Sequence, residues 1–267
     1  MSEWRRVEGD LAAWSLGTGP RLVFVHGFTQ TSTSWRPLAA ALANDGYEAV
    51  VVDAPGHGDS AAVHVDLPHA AGLLTEMCGP AVYIGYSMGG RLCLHAALSD
   101  PARVAALALV SASPGIADDA ERAMRRDADM NLAGHLREVG VDTFLDEWLA
   151  QPLFAGLPVD AAQRADRLRN SSEGLASSLR LAGAGAQASL WSHLSSLAMP
   201  VLAIAGAADA KYAAIAQQIA TAVPRGRSEL IDGAGHATHL QSPQRVLAAL
   251  RAWLSRTAPG QPPATVR

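Results

Sequence analysis

Ala81-Val82-Tyr83-Ile84-Gly85-Tyr86-Ser87-Met88-Gly89-Gly90-Arg91-Leu92-Cys93-Leu94-His95 is the stretch on which the fold turns. Its first half is a short apolar run of the kind that forms a strand covered on both faces. Its second half has helical composition. Between them Gly85-x-Ser87-x-Gly89 matches the pattern of a nucleophile elbow, a sharp strand-to-helix turn that holds a serine hydroxyl out at the end of a sheet. Small residues at 85 and 89 let the chain reverse there. A serine hydroxyl is a weak nucleophile and a weak base until an imidazole takes its proton. The motif therefore asks the rest of the chain for a histidine and an acid.

Working outward, short Val/Leu/Ile-rich runs alternate with helix-compatible stretches. Strands are expected at 22–25, 49–53, 81–85, 105–111, 201–205 and 228–231, with a hairpin over Trp4 to Leu16 turning at Gly9-Asp10. Helices are expected at 35–44, 88–98, 212–222 and 243–254. This rhythm specifies a doubly wound α/β fold with a mostly parallel sheet. It breaks between Pro114 and Ala198, where helical segments are expected at 117–136, 141–149, 161–168, 175–181 and 189–194 and no strand is convincing. We read 1–113 and 198–256 as the α/β core, 114–197 as an inserted helical cap, and 257–267, with Pro259, Pro262 and Pro263, as a disordered tail.

The sheet pattern returns with Val201 to Gly206, and Asp209 follows it at once. The last strand ends in Asp232-Gly233-Ala234-Gly235-His236. In a Ser87–His236–Asp209 triad the imidazole accepts the serine proton, and the carboxylate sets the tautomer and stabilises the imidazolium. Asp232 is the substitute acid, but it lies too near His236 in sequence to face it easily. The oxyanion donors expected are the N–H of Met88, at a helix start, and that of Phe28, in the loop after His26-Gly27. His26 could act as a base, although its place suits shaping that loop.

Composition narrows the partners. Net charge is −4, charged residues are 17%, and Lys211 is the one lysine. No nucleic-acid partner is expected, since that needs clustered positive charge. No run approaches the roughly 20 apolar residues of a membrane helix. Cys78 and Cys93 sit among apolar neighbours and read as buried free thiols, and the N-terminus lacks a signal-like apolar stretch, so a cytoplasmic location is expected. No cofactor and no metal are expected. Asp53 to Ser60 is glycine-rich but lacks the Lys-Ser/Thr ending of a phosphate loop, and His236-Ala237-Thr238-His239 lacks an H-E-x-x-H helix.

The order Ser87, Asp209, His236 resembles that of α/β-hydrolases over roughly residues 8–255. The cap strings Ser113-Pro114-Gly115, Phe144-x-x-x-Trp148-x-x-x-Pro152-Leu153-Phe154, Leu168-Arg169-Asn170 and Gly183-Ala-Gly-Ala-Gln187-Ala-Ser189-Leu190-Trp191, with Asp209-x-Lys211-Tyr212, are similar to one narrower family. That family is 2-succinyl-6-hydroxy-2,4-cyclohexadiene-1-carboxylate synthase of menaquinone biosynthesis. The resemblance implies a lyase that takes a proton from a cyclohexene ring and expels the enolpyruvyl group as pyruvate. It implies that Ser87, relayed by His236 and Asp209, is the base. It also implies that Tyr86, Arg91, Arg125, Trp148 and Arg169 bind a small substrate with three carboxylates. Arg122 or Arg126 could replace Arg125 in register, and Trp148 and Trp191 could be cap core. Three departures stand out: alanine (207 or 208) for a usual glutamate, Tyr212 for a usual phenylalanine, and Ala54 for a common leucine. The alternatives are a carboxylesterase or other serine acyl hydrolase, a haloperoxidase-type side activity, and a non-catalytic ligand-binding homologue.

Overall fold

A computed structural model describes residues 3–160 and 163–257. The expected tail lies, beyond Thr257, outside the described residues, as do Ala161 and Ala162 of the helix expected at 161–168. Eight strands form one sheet in the order β1-β2-β4-β3-β5-β6-β7-β8. These are β1 (Arg5–Val7), β2 (Ala13–Gly17), β3 (Arg21–Val25), β4 (Glu48–Val52), β5 (Ala81–Tyr86), β6 (Val104–Val110), β7 (Val201–Gly206) and β8 (Gly226–Ile231). The hairpin β1–β2 and the β2–β4 pair are antiparallel, and every pair from β4 through β3, β5, β6 and β7 to β8 is parallel.

Period-two alternation sends the side chains of β5 to both faces. Ala81 and Tyr83 join a core with α2 (Leu67–Cys78), α3 (Met88–Ser99) and α7 (Ala210–Ala222), whereas Val82, Ile84 and Tyr86 join one with α1 (Arg36–Asn44) and α9 (Pro243–Thr257), which follows the short α8 (Thr238–Gln241). All six β5 residues are buried, which is why the strand reads as an uninterrupted apolar run. Sequence periodicity missed α2. Its signals were present at its ends: Asp66 accepts the His69 N–H at 3.0 Å, Pro68 sits in the first turn, and Gly79 follows the last residue.

Between β6 and β7 the described residues form α4 (Asp119–Leu149), α5 (Arg164–Arg167) and α6 (Ser172–Ala182), with no strand. The segments expected at 117–136 and 141–149 are continuous except at Gly140, whose φ of 78° breaks the helix. The two halves fold toward each other there, since His135 Nε2 meets Glu147 Oε2 at 2.6 Å although twelve residues separate them. The segment expected at 189–194 is a short 3₁₀ helix, Trp191–Ser196. Leu136 and Phe144 from the two halves of α4 pack with Leu175 and Leu179 of α6, and Phe28 and Trp148 close this third cluster.

The elbow rests on backbone contact. A methyl group on Gly89 would lie 2.3 Å from Val25 O and 2.4 Å from His26 O, and one on Gly85 would lie 2.4 Å from Gly89 O. Backbone cannot yield as a flexible side chain can. Gly89→Ala therefore costs about 3 kcal/mol, lowering the thermal midpoint by roughly 6–12 °C for a domain of this size. Gly134→Ala is the control: beyond its chain neighbours and its own helix's backbone, no atom of the described residues lies within 4 Å of the added methyl, and helix propensity favours alanine by about 1 kcal/mol. A scanning-calorimetry comparison in which both variants melt like the parent would remove this account of the elbow.

Candidate active site

Ser87 joins β5 to α3 with φ 50° and ψ −109°, a left-handed setting that a non-glycine residue adopts only under constraint. Its N–H donates to Val110 O at 2.9 Å and its carbonyl accepts from the Arg91 N–H at 3.1 Å, so both neighbouring elements hold the strained turn. The hydroxyl lies 3.2 Å from His236 Nε2. His236 Nδ1 lies 2.9 Å from Asp209 Oδ2.

Asp209 serves two ends. Oδ1 caps α7 by accepting the Tyr212 N–H at 3.2 Å, and Oδ2 faces the imidazole. Burial raises its pKa, but the hydrogen bonds from His236 and the Tyr212 N–H and the nearby positive charge outweigh it, so the carboxyl stays below its ordinary value and ionised. An ionised carboxylate only accepts. It thus selects the Nδ1–H tautomer and leaves Nε2 to accept from Ser87. The His236 loop is fixed in turn by Thr238 Oγ1, which donates to Gly235 O at 2.8 Å, and by Gln241 Oε1, which accepts the Gly235 N–H at 2.6 Å. Tyr212 packs on the imidazole with ring centres 4.4 Å apart, and Tyr86 flanks it at 5.5 Å. Asp232 is exposed, and its carbonyl oxygen accepts from Arg245.

Met88 opens α3, where an N–H lacks an intrahelical carbonyl. No backbone hydrogen bond among the described residues uses the N–H of Met88 or of Phe28. The Phe28 loop is pinned from several sides. His26 Nδ1 meets Gly27 O at 2.8 Å and its Nε2 accepts the Ala54 N–H at 3.0 Å, which commits both nitrogens to loop shape. His57 Nε2 accepts the Thr29 N–H at 3.2 Å, and Asn170 Nδ2 donates to Thr29 O at 2.7 Å. Burial draws His26 down to about 4 and His57 to about 3, so both are neutral pillars near pH 7. His239 is also a core residue, stacked on Trp35 at 4.5 Å and against Tyr86 at 4.3 Å.

Above Ser87 lies a cavity of about 200 Å³, lined by Phe28, Tyr86, Met88, Arg91, Arg125, Asp129, Trp148, Phe154, Lys211, Tyr212 and His236 among others. Nine of the ten site residues expected from sequence line it or its triad wall, or, for Asp209, stand behind His236. A larger concavity of about 1130 Å³ between β8 and α9 contains none of them and presents no nucleophile–base pair. Arg91 Nη1 donates to Gly183 O at 3.3 Å and to Gln187 Oε1 at 3.2 Å. Burial draws its guanidinium down to about 10, still protonated near neutrality. Arg125 Nε donates to Asp129 Oδ1 at 2.7 Å, and Asp129 Oδ2 accepts the Gly185 N–H at 3.0 Å. Trp148 stands over Phe28 with ring centres 5.2 Å apart, and its buried Nε1–H has no hydrogen-bond partner among the described residues. Trp191 lies in the core contact, donating to Gly115 O at 3.1 Å.

Arg169 is the exception. It does not line the cavity: its guanidinium reaches Asp59 at 3.0 Å and Asp166 at 3.2 Å and is 41% exposed. The arginine of that segment that turns inward is Arg167, 1% exposed, which donates to Thr29 Oγ1. Asn170 spans Thr29 O and the Gly58 N–H, and that stitching turns 169 outward. We expect Arg169→Ala to change kcat/KM by less than about threefold, as exposed ion pairs contribute roughly 0–1 kcal/mol. A loss comparable to that of Arg91→Ala in steady-state kinetics would place it in the substrate's reach. Sequence reading also passed over Asp129 and Lys211 as site residues. The four-residue spacing from Arg125 was the signal for Asp129, and the position just inside α7 was the signal for Lys211.

A model of the α/β-hydrolase family matches residues 22–249. A Bacillus subtilis (strain 168) protein, provisionally named 2-succinyl-6-hydroxy-2,4-cyclohexadiene-1-carboxylate synthase, is 35% identical over 84% of this chain and 86% of its own. The synthase of that name from Escherichia coli O1:K1 is 31% identical over 86% of this chain and 92% of its own. Among solved structures, MenH from S. aureus superposes with a TM-score of 0.85 at 29% identity, covering 96% of this chain and 98% of that one.

Proposed function

This chain belongs to the α/β-hydrolase family and, within it, to the 2-succinyl-6-hydroxy-2,4-cyclohexadiene-1-carboxylate synthases, and from that premise we propose how its side chains carry out the reaction. The enzyme is a lyase that eliminates pyruvate from 2-succinyl-5-enolpyruvyl-6-hydroxy-3-cyclohexene-1-carboxylate. The observation that carries the reading is the Ser87–His236–Asp209 chain of contacts, 3.2 and 2.9 Å long, opening into a cavity that also holds the guanidinium groups of Arg91 and Arg125.

In this reading His236 Nε2 takes the Ser87 hydroxyl proton as Ser87 Oγ takes one from the substrate ring. The electron pair of the broken C–H bond at C2 forms the C2=C3 double bond, the existing C3=C4 pair shifts to C4=C5, and the C5–O bond to the enolpyruvyl group breaks with its pair leaving on oxygen. The leaving enolate collects a proton and becomes pyruvate. General base catalysis of this kind contributes about 10²- to 10⁴-fold. Negative charge moves onto the leaving group as the C–O bond breaks, and the unused N–H groups of Met88 and Phe28 are the donors suited to a developing oxyanion. Arg91 and Arg125, with Tyr86 and Trp148, hold the carboxylates and so fix which ring hydrogen faces Ser87. Residues 114–197 act as a cap that places Arg125 and Trp148 over the serine. The substrate is a small polyanion and needs no nucleic-acid partner.

No helix among the described residues is long and apolar enough to cross a membrane. Cys78 and Cys93 are buried and free. Free thiols suit a reducing compartment, and we place the enzyme in the cytoplasm.

The test is direct: purified protein, given the enolpyruvyl cyclohexene substrate without added metal or nucleotide, releases one pyruvate per conjugated diene formed. Rapid turnover of aryl esters with no pyruvate would replace the lyase by an acyl hydrolase using Ser87 as a nucleophile.

A further inference from the structure

Gln187 lies between Gly183 and the Trp191 helix, is 3% exposed, and does not itself line the cavity but hydrogen-bonds Arg91, which does. Its Oε1 accepts from Arg91 Nη1 at 3.2 Å. The amide cannot be turned around, because Nε2 would then set donor against donor. In its present orientation Nε2 is buried without a partner among the described residues, in the space left by the missing side chain of Gly115. An unsatisfied buried N–H is destabilising. A glutamate would replace it with an ion pair, and a leucine would remove it. The amide therefore has a use that stability does not explain.

The two cavity arginines differ in how their charge is met. Arg125 is paired with the Asp129 carboxylate at 2.7 Å. Arg91 is held by two neutral oxygens, Gly183 O and Gln187 Oε1, and forms no ion pair among the described residues. We infer that Gln187 is a positioning residue that aims the Arg91 guanidinium while leaving its full charge for a substrate carboxylate. A neutral acceptor orients the fork, whereas a carboxylate in its place would orient it equally well and cancel it. The inference rests on the pyruvate-elimination reading for the identity of the substrate, but not for the anion binding.

Gln187→Glu and Gln187→Leu separate charge from shape. Glutamate keeps the size and the acceptor oxygen, so a role in packing or aiming alone predicts that Gln187→Leu is the more harmful change. The proposal predicts the reverse. KM rises about 30- to 100-fold in Gln187→Glu and about 3- to 10-fold in Gln187→Leu, with kcat within about threefold of the parent in both. Affinity for the diene product, followed by tryptophan fluorescence, falls in the same order. Thermal melts identify any variant that fails to fold, and Gln187→Met then replaces the leucine variant as the neutral non-accepting form. Glutamate matching the parent in KM and product affinity overturns the proposal, as does a leucine variant worse than glutamate. A parent protein that binds the product but releases no pyruvate overturns the proposed reaction and leaves the binding test of Gln187 standing.

Discussion

Ser87→Ala lowers pyruvate release by about 10³-fold or more while leaving product affinity within about threefold. The serine oxygen is the group that meets His236 Nε2, at 3.2 Å, and no other side-chain oxygen contacts that nitrogen among the described residues. Alanine removes it without disturbing the elbow, since the strained φ of 50° is the same for any non-glycine residue. The melting temperature therefore stays close to the parent's. Rapid-quench measurement of pyruvate, with a binding titration on the same preparation, checks both halves of the result. Retention of more than about a tenth of the rate would mean that the ring proton goes elsewhere. Joint loss of rate and affinity would mean that the substitution disturbed the cavity.

Arg91→Ala has the second large effect, a fall in kcat/KM of about 10²- to 10³-fold, or roughly 3–4 kcal/mol. The guanidinium is half-buried at the cavity wall, stays protonated near neutrality although desolvation draws its pKa down to about 10, and faces neutral acceptors. Its desolvation is repaid only when an anion arrives, so much of its interaction energy is reserved for the substrate. Most of the change falls on KM, with a smaller loss in kcat from poorer aiming of the ring hydrogen. Arg91→Lys recovers part of the affinity, because an ammonium restores the charge but not the planar fork. Unchanged steady-state constants for Arg91→Ala would remove the anion pocket at this position.

The parts of the site that were legible from residues are those carried by local pattern. The elbow reads from five residues because backbone oxygens lie where a side chain on either glycine would have to go, which leaves no room for substitutes. Asp209 and His236 read from their places just after β7 and β8, where side chains at strand ends converge. The central strands, β3 to β7, read because burial on both faces turns each into an apolar run. By contrast, α2 is marked by its caps more than by a stripe, and periodicity alone passed over it. Arg167 and Arg169 illustrate another limit. They are two residues apart in a short turn, and the inward choice was made by Asn170 bonding to Thr29, 141 residues away in sequence.

By itself, the sequence determined the groups available: a serine hydroxyl, an imidazole and a carboxylate, in an order that the parallel α/β sheet converts into neighbours. Local physics suffices for that, since turn strain, strand burial and helix capping each act over a few residues. Only the tertiary structure decided which charges remain available. Asp129 reaches Arg125 within one helix, but Gln187 meets Arg91 across 96 residues, and Asp59 meets Arg169 across 110. Whether an arginine is cancelled, buried or left waiting for an anion depends on partners brought together by packing. Coulomb and desolvation energies follow distance and dielectric in space, which separation along the chain does not encode.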